Sequence, residues 1–308
     1  MSATTPNIDF MGKRKIAAVI SVVLVLASLV LLGVQGINRG LDFTGGTLVE
    51  VEFTTAIDPE SVRQILVGAG FNNGVVQYFG TERDLLIRMP PQPNTQQADM
   101  GGEILNTLRE TYSDVVMRQN NYVGPTVGEE LTNDAGLAIL AALAVVMLYI
   151  FFRFTKQFSV GAVVALIHDV LLVLGIFALF QWTFDLPVFA AILAVIGYSL
   201  NDTIVVSDRI RENFRKIRKG TSIEIINRSL NQTLGRTVIT SMTTLMVLTA
   251  LLIAGGEGIR GFATALSIGV VVGTYSSIYV AANVLIAMNI SREDLLVPEK
   301  ENTDPEMP

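Results

Sequence analysis

Apolar and polar positions are not mixed evenly along this chain. Six long apolar blocks, about 16–36, 133–152, 158–180, 187–207, 237–255 and 262–289, are separated by four short polar stretches and one long one. A helix needs roughly 20 apolar residues to cross a hydrocarbon layer of about 30 Å, so each block predicts a transmembrane helix. In the long polar stretch the period changes. TLVEVEF (47–53) alternates as a strand does, and DPESVRQILVGAG (58–70) opens on an Asp cap and a proline, runs at helical spacing and stops at a glycine. GVVQYFG (74–80) and RDLLIRM (83–89) read as a hairpin, 95–112 as a second helix weakened at Gly101-Gly102, and 114–123 as a last strand. The order β-α-β-β-α-β predicts a small α+β domain of the ferredoxin-like pattern.

The predicted fold class is therefore a polytopic α-helical membrane protein with six transmembrane helices and one α+β domain between the first two. The division is 1–15 as an N-terminal segment, 16–36 as helix one, 37–130 as the domain, 131–290 as helices two to six, and 291–308 as a polar, proline-containing tail expected to be disordered. Composition agrees: half of the 308 residues are hydrophobic and only 16% are charged. The first block follows Lys13, Arg14 and Lys15 but is long for a signal peptide and lacks a clear cleavage site before Gly40, so it reads as an uncleaved anchor.

Charge adds an orientation. The net charge is −6, and with no basic domain nucleic acid is not an expected partner. Basic residues gather at the N-terminus, at Arg153 and Lys156, in 208–236 and in the tail, whereas 181–187 has none and 255–261 only Arg260. The positive-inside rule then places both termini in the cytoplasm and 37–130 on the far, periplasmic side. The absence of cysteine excludes disulfides, thiolate metal sites and cysteine nucleophiles. No catalytic triad, metal-ligand set or nucleotide loop is present, and Gly45-Gly46 lacks the Lys-Ser/Thr of a phosphate loop. The chain is not expected to be an enzyme or to need a cofactor.

Polar residues inside the spans carry the candidate chemistry. Asp202, beside Asn201, lies about 15 residues into the fourth span, roughly 22 Å along a helix and still at hydrocarbon depth. A carboxylate there costs about 2.5–3.5 kcal/mol on insertion scales. Proton or ion handling is the favoured reading, and a polar knot with Asn201 and Ser199 the bland one. Arg236 opens the fifth span and is the obvious cation for a switchable pair; its edge position equally suits snorkelling to headgroups. Thr233, Thr237, Thr240 and Thr244 form one expected polar stripe beside it. His168, the sole histidine, and Asp169 sit mid-way along the third span as a second-tier relay or packing contact. Ala265, Gly269, Gly273, Ser277 and Ala281, four apart, form a small-residue face with packing but no chemistry, its partner in this chain or another subunit. Asp42, Gly45 and Gly46 mark the exit of the first span, and Gly124, Pro125 and Gly128 the return, either as hinge or as corner.

GLDFTGGT (40–47), VGPTVGEEL (123–131), GYSLNDTIVVSDRIRENFRK (197–216), NQTLGRTVITS (231–241) and GTYSSIYVA (273–281) occur in order. Together they resemble the SecD/SecF family of the bacterial protein-export machinery, within the resistance-nodulation-division superfamily, over nearly the whole chain. The resemblance implies a Sec translocon subunit of the inner membrane that pairs with SecD, supplied in trans. It implies association with the SecYEG channel, with YajC and YidC as further candidates, and contact with translocating preprotein and lipid. It also implies that Asp202 and Arg236 serve function driven by the proton-motive force, with H+ or Na+ as the coupling ion. The rival expectation is a stand-alone exporter of small molecules or lipids from the same superfamily, against which six spans are few.

Overall fold

The computed structural model describes residues 8–91, 99–291 and 294. Most of the polar tail and the start of the helix expected at 95 lie outside them. A short 3-10 turn, Met11–Lys13, leads into α1 (Arg14–Val34), and α2 is a single turn, Leu41–Thr44. The domain follows as β1 (Gly46–Glu52), α3 (Pro59–Gly68), β2 (Val75–Phe79), β3 (Thr81–Met89), α4 (Met100–Thr111) and β4 (Val116–Val123). Five long helices complete the chain: α5 (Pro125–Arg153), α6 (Lys156–Phe180), α7 (Leu186–Lys216), α8 (Ser222–Ala254) and α9 (Glu257–Ala287). Six of these helices are long and apolar enough to cross a membrane.

The sheet order is β2-β3-β1-β4 with every pair antiparallel, which is the split βαβ arrangement. One face of the sheet buries Val49, Val51, Leu85, Ile87 and Met89 against Val62 and Leu66 of α3 and Ile104 and Leu108 of α4. Asp58 caps α3 by accepting from the Glu60 backbone, with Pro59 at the first helical position, where its missing N–H costs nothing. The β2–β3 hairpin turns at Gly80 alone, whose φ is +83°, so β3 begins two residues before the expected Arg83.

The helices run past the apolar blocks that foretell them. α7 continues to Lys216, and α8 begins at Ser222 on a capping box in which Thr221 accepts from the Glu224 backbone and Glu224 accepts from Thr221 N–H. Here Asn227 and Asn231 bind the backbone of Ile8, Phe10 and Met11, and Ser222 donates to Ile290 O. The ends of the described chain therefore lie on one side of the bundle. The α6–α7 loop lies on the domain's side: Gly40 N–H donates to Phe184 O and Phe184 N–H to Asn38 O.

α6, α7 and α9 form the buried centre, while α1, α5 and α8 are mostly exposed apolar surface. The small-residue face of α9 is spent inside this chain. A Cβ on Gly269 would meet Val195 of α7, one on Gly273 would meet Ser199 of α7, and Gly161 of α6 lies against Ala281 O. Such close backbone approach is what small residues provide where lipid supplies no hydrophobic drive.

Candidate functional site

Two carboxylates among the described residues lie inside the bundle, each bonded to one of a pair of consecutive serines. Asp202 is 8% exposed. Thr237 of α8 donates to its Oδ1 at 2.6 Å, and Ser277 of α9 donates to its Oδ2. Asp202 thus ties α7 to both helices packed beside it. Hydrogen bonds to a charged group are worth about 1.5–3 kcal/mol each. Two of them offset the insertion cost of about 2.5–3.5 kcal/mol for a carboxylate at this depth, so no cation in contact is needed to keep it there.

Accordingly, Arg236 is not in contact. It acts on Asp202 electrostatically, without a hydrogen bond to it, and is exposed. Consecutive residues on a helix point about 100° apart; Thr237 faces the carboxylate, so Arg236 faces away. The polar stripe expected on α8 is corrected in the same way. Thr233, Thr237 and Ser241 are buried, whereas Thr240 is exposed and donates to the carbonyls of Arg236 and Thr237 on its own helix. Strict four-residue spacing selects Ser241 instead, which is joined to Thr274 of α9 and accepts from Tyr198. Asn201 is exposed and does not join the knot with Asp202.

Asp169 is more deeply placed than Asp202, fully buried near the middle of α6. Its Oδ1 lies 2.8 Å from His168 Nδ1, and its Oδ2 accepts from Ser199 of α7 at 2.5 Å and Ser276 of α9 at 2.6 Å. Ser276 and Ser277 are thus neighbours that serve different carboxylates. The four-residue stripe of α9 leaves Ser276 out; the signal available was two adjacent serines beside Thr274 and Tyr275, in GTYSSIYVA.

The glycine-marked junctions meet at the domain's base. Gly45 (φ +66°) and Gly46 (φ +120°) hold backbone conformations that other residues rarely adopt. A Cβ on Gly45 would lie 2.9 Å from Pro125 Cα, one on Gly46 would lie 2.4 Å from Met89 O, and one on Gly128 would lie 2.8 Å from Gly45 N. Gly124 caps α5, with Pro125 as its first residue, so this segment is a corner. Asp42 Oδ2 accepts from Leu186 N–H and Asp185 Oδ1 from Val188 N–H, so two carboxylates satisfy the first amides of α7. Beside them, Arg88 of β3 donates to Thr183, Asn38 and Arg39 O. Burial pushes the Asp185 carboxyl above its usual range, and Asp42 adds to this. Burial likewise lowers Arg88, with Asp185 and Asp42 pulling it back. A cleft of about 720 Å³ lies here between the second face of the sheet and the helix ends, lined also by Trp182 and Arg260.

Residues 103–291 match the family described as protein export membrane protein SecD/SecF, C-terminal, and residues 30–57 match the SecD/SecF GG motif. The chain belongs to the SecD/SecF protein-export family. Its relatives include the protein translocase subunit SecF of Pseudomonas aeruginosa, 46% identical over 100% of both chains, and that of Vibrio alginolyticus, 47% identical over 96% of this chain and 94% of the other. Among solved structures, SecDF of Thermus thermophilus, a translocon-associated membrane protein, superposes with a TM-score of 0.84 at 37% identity. That match covers 94% of this chain, which spans 40% of the SecDF chain. SecDF in its super-membrane-facing form gives a TM-score of 0.71 at the same identity. The matched GG motif contains Asp42, Gly45 and Gly46, and the C-terminal match contains both buried carboxylates. The stand-alone exporter reading is not favoured by these relatives.

Proposed function

We propose that this chain is the SecF-type subunit of the Sec protein translocase, and that it couples an ion gradient to preprotein movement through Asp202. The observation that carries the coupling is a carboxylate buried at membrane depth and held, among the described residues, by hydroxyls from two other helices. With Asp202 ionised, Thr237 and Ser277 donate to it. A proton arriving at Oδ2 makes that oxygen a donor. Ser277 then turns its own hydrogen to Thr274 O, which it already reaches at 3.1 Å. The tie between α7 and α9 falls from a charge-assisted bond to a neutral one, roughly half as strong.

One charge moving through 100 mV releases about 2.3 kcal/mol. This is comparable to one charge-assisted bond of about 1.5–3 kcal/mol and well below the roughly 5–15 kcal/mol that holds a domain folded. The gradient therefore biases helix packing and does not unfold cargo directly. Loss and recovery of the tie shifts α7, and the domain seated on its first turn moves with it to hold or release emerging preprotein. The coupling ion is H+, with Na+ the alternative. Arg236 and the exposed hydroxyls of α8 face SecD. The complex acts beside SecYEG, with YajC and YidC as further associates. Basic residues gathered away from the 37–130 domain support a bacterial inner-membrane orientation with that domain periplasmic and both termini cytoplasmic.

The test is preprotein export into inverted membrane vesicles containing SecD and this chain, with a proton or sodium gradient imposed separately. Asp202→Asn is expected to abolish the gradient-stimulated share of export and leave the remainder. Full stimulation in Asp202→Asn would overturn the reading, and stimulation by sodium alone would change the ion.

A further inference from the structure

We propose that His168 and Asp169 form a second proton-binding site, loaded at His168 Nε2 and coupled to Asp202 through α7 and α9. The inference rests on the proton-coupling reading of Asp202 and extends it to a pair that reading does not use.

The geometry fixes where a proton goes. Asp169 Oδ2 is occupied by two hydroxyl donors, Ser199 and Ser276, so the carboxylate meets the imidazole only through Oδ1 and Nδ1. One proton lies on that line in every state of the pair. With no further proton, the pair is a neutral imidazole and a carboxylate, carries one negative charge, and leaves Nε2 bare. With one more, it is either imidazolium and carboxylate or imidazole and carboxylic acid. Both of these are electroneutral, and in both Nε2 carries a hydrogen. The added proton therefore always appears at Nε2. That atom is buried and meets no hydrogen-bonding partner among the described residues. His168 itself is 4% exposed. A histidine kept only for packing would be expected to satisfy both nitrogens.

The surroundings place few other titratable groups beside the pair. α9 places Tyr275 over the imidazole, ring centroids 6.1 Å apart, and its hydroxyl is spent on Ala17 O and Ser21 of α1. α7 contributes Ser199, with Asp202 one turn further along the helix. The stretch of α5 from Ala135 to Phe152 contains one titratable side chain, the exposed Tyr149. Asp202 is the carboxylate joined to the pair through shared elements, by Ser199 on α7 and the Ser276-Ser277 neighbours on α9.

The coupling path is short. Ser276 donates to Asp169 and Ser277 to Asp202, one residue apart on α9. Ser199 and Asp202 sit three residues apart on α7. Each serine of α9 also has a backbone acceptor on its own helix, Gly273 O for Ser276 and Thr274 O for Ser277. A small rotation of α9 therefore trades one serine–carboxylate bond against the other, so that loading one site alters the cost of loading the other.

His168 is the sole histidine of the chain, so labelling histidine with nitrogen-15 reports this imidazole alone. The experiment is magnetic resonance on the full chain in lipid vesicles, titrated from about pH 5 to about pH 9, the range in which imidazole changes state. A proton taken up by the pair is expected to be seen at Nε2. The midpoint is expected to move by about half a pH unit or more in Asp202→Asn and also in Ser276→Ala, a milder change. An Nε2 that keeps one state throughout would overturn the site, and a midpoint identical in wild type and Asp202→Asn would overturn the coupling. Failure of the Asp202 reading shows separately, as gradient-driven export that survives Asp202→Asn while the imidazole still titrates.

Discussion

At the scale of single residues, Asp202 is held by a threonine where charge pairing alone would choose an arginine. Thr237→Val keeps the shape and removes one of two donors to a buried carboxylate. It is expected to destabilise the folded chain in detergent by about 1–3 kcal/mol, with a measurable shift in the pH dependence of gradient-driven export. Thr240→Val, three residues on, is expected to change stability by no more than about 0.5 kcal/mol, because that hydroxyl is exposed and bonded to its own helix. Thermal melts of the two variants side by side decide the matter. The depth of Asp202 was legible in the sequence because span length and helix rise fix it. Its partner was not. Arg236 and Thr237 are adjacent, and which of them faces inward depends on the rotation of α8, a quantity set by packing against α7 and α9.

At the scale of elements, the six spans and the order of the domain follow directly from changes in hydrophobic period. The helix ends do not, because an apolar block records the depth of hydrocarbon and says nothing of where hydrogen bonding stops. The start of α8 was nonetheless written as Thr221-Ser-Ile-Glu224, a capping-box signature placed well before the apolar run. The two glycines of the GG segment serve two close backbone approaches: the second lies against Met89 O and the first against Pro125. Gly46→Ala is expected to cost about 1–3 kcal/mol in backbone strain and to expose the domain's base to limited proteolysis, whereas Gly68→Ala, facing open space in α3, is expected to be neutral or mildly stabilising. Asp185 makes a pH-dependent element of the α7 cap. Its carboxyl is held above the usual range, so its protonated form is favoured by folding; its contribution is complete at acid pH and is lost as pH rises through the raised value. Asp185→Asn keeps a good cap. It is expected to flatten the gain in melting temperature that wild type shows on mild acidification, while losing nothing at neutral pH.

At the scale of the whole molecule, the outer helices differ in what they present. α1 and α5 expose apolar residues along their membrane stretches, which suits lipid. α8 exposes Met242, Met246 and Val247 together with Arg236, Thr240 and Thr243, a mixture that hydrocarbon would not solvate well. Since the chain contains no cysteine, single cysteines report cleanly. Met246→Cys is expected to crosslink to SecD in membranes and Val145→Cys on α5 is not; the reverse pattern would move the subunit contact to α5. Finally, the parallel bridge between Arg39 and Phe184 joins the root of the domain to the start of α7, about 24 Å along that helix from Asp202. A helix is stiff over that distance, so the bridge behaves like the needle of a gauge whose works lie deep in the membrane. Under the coupling proposed for Asp202, the exchange rate of the Gly40 and Phe184 amides, both closed within this strap, is expected to change with the occupancy of the buried carboxylate.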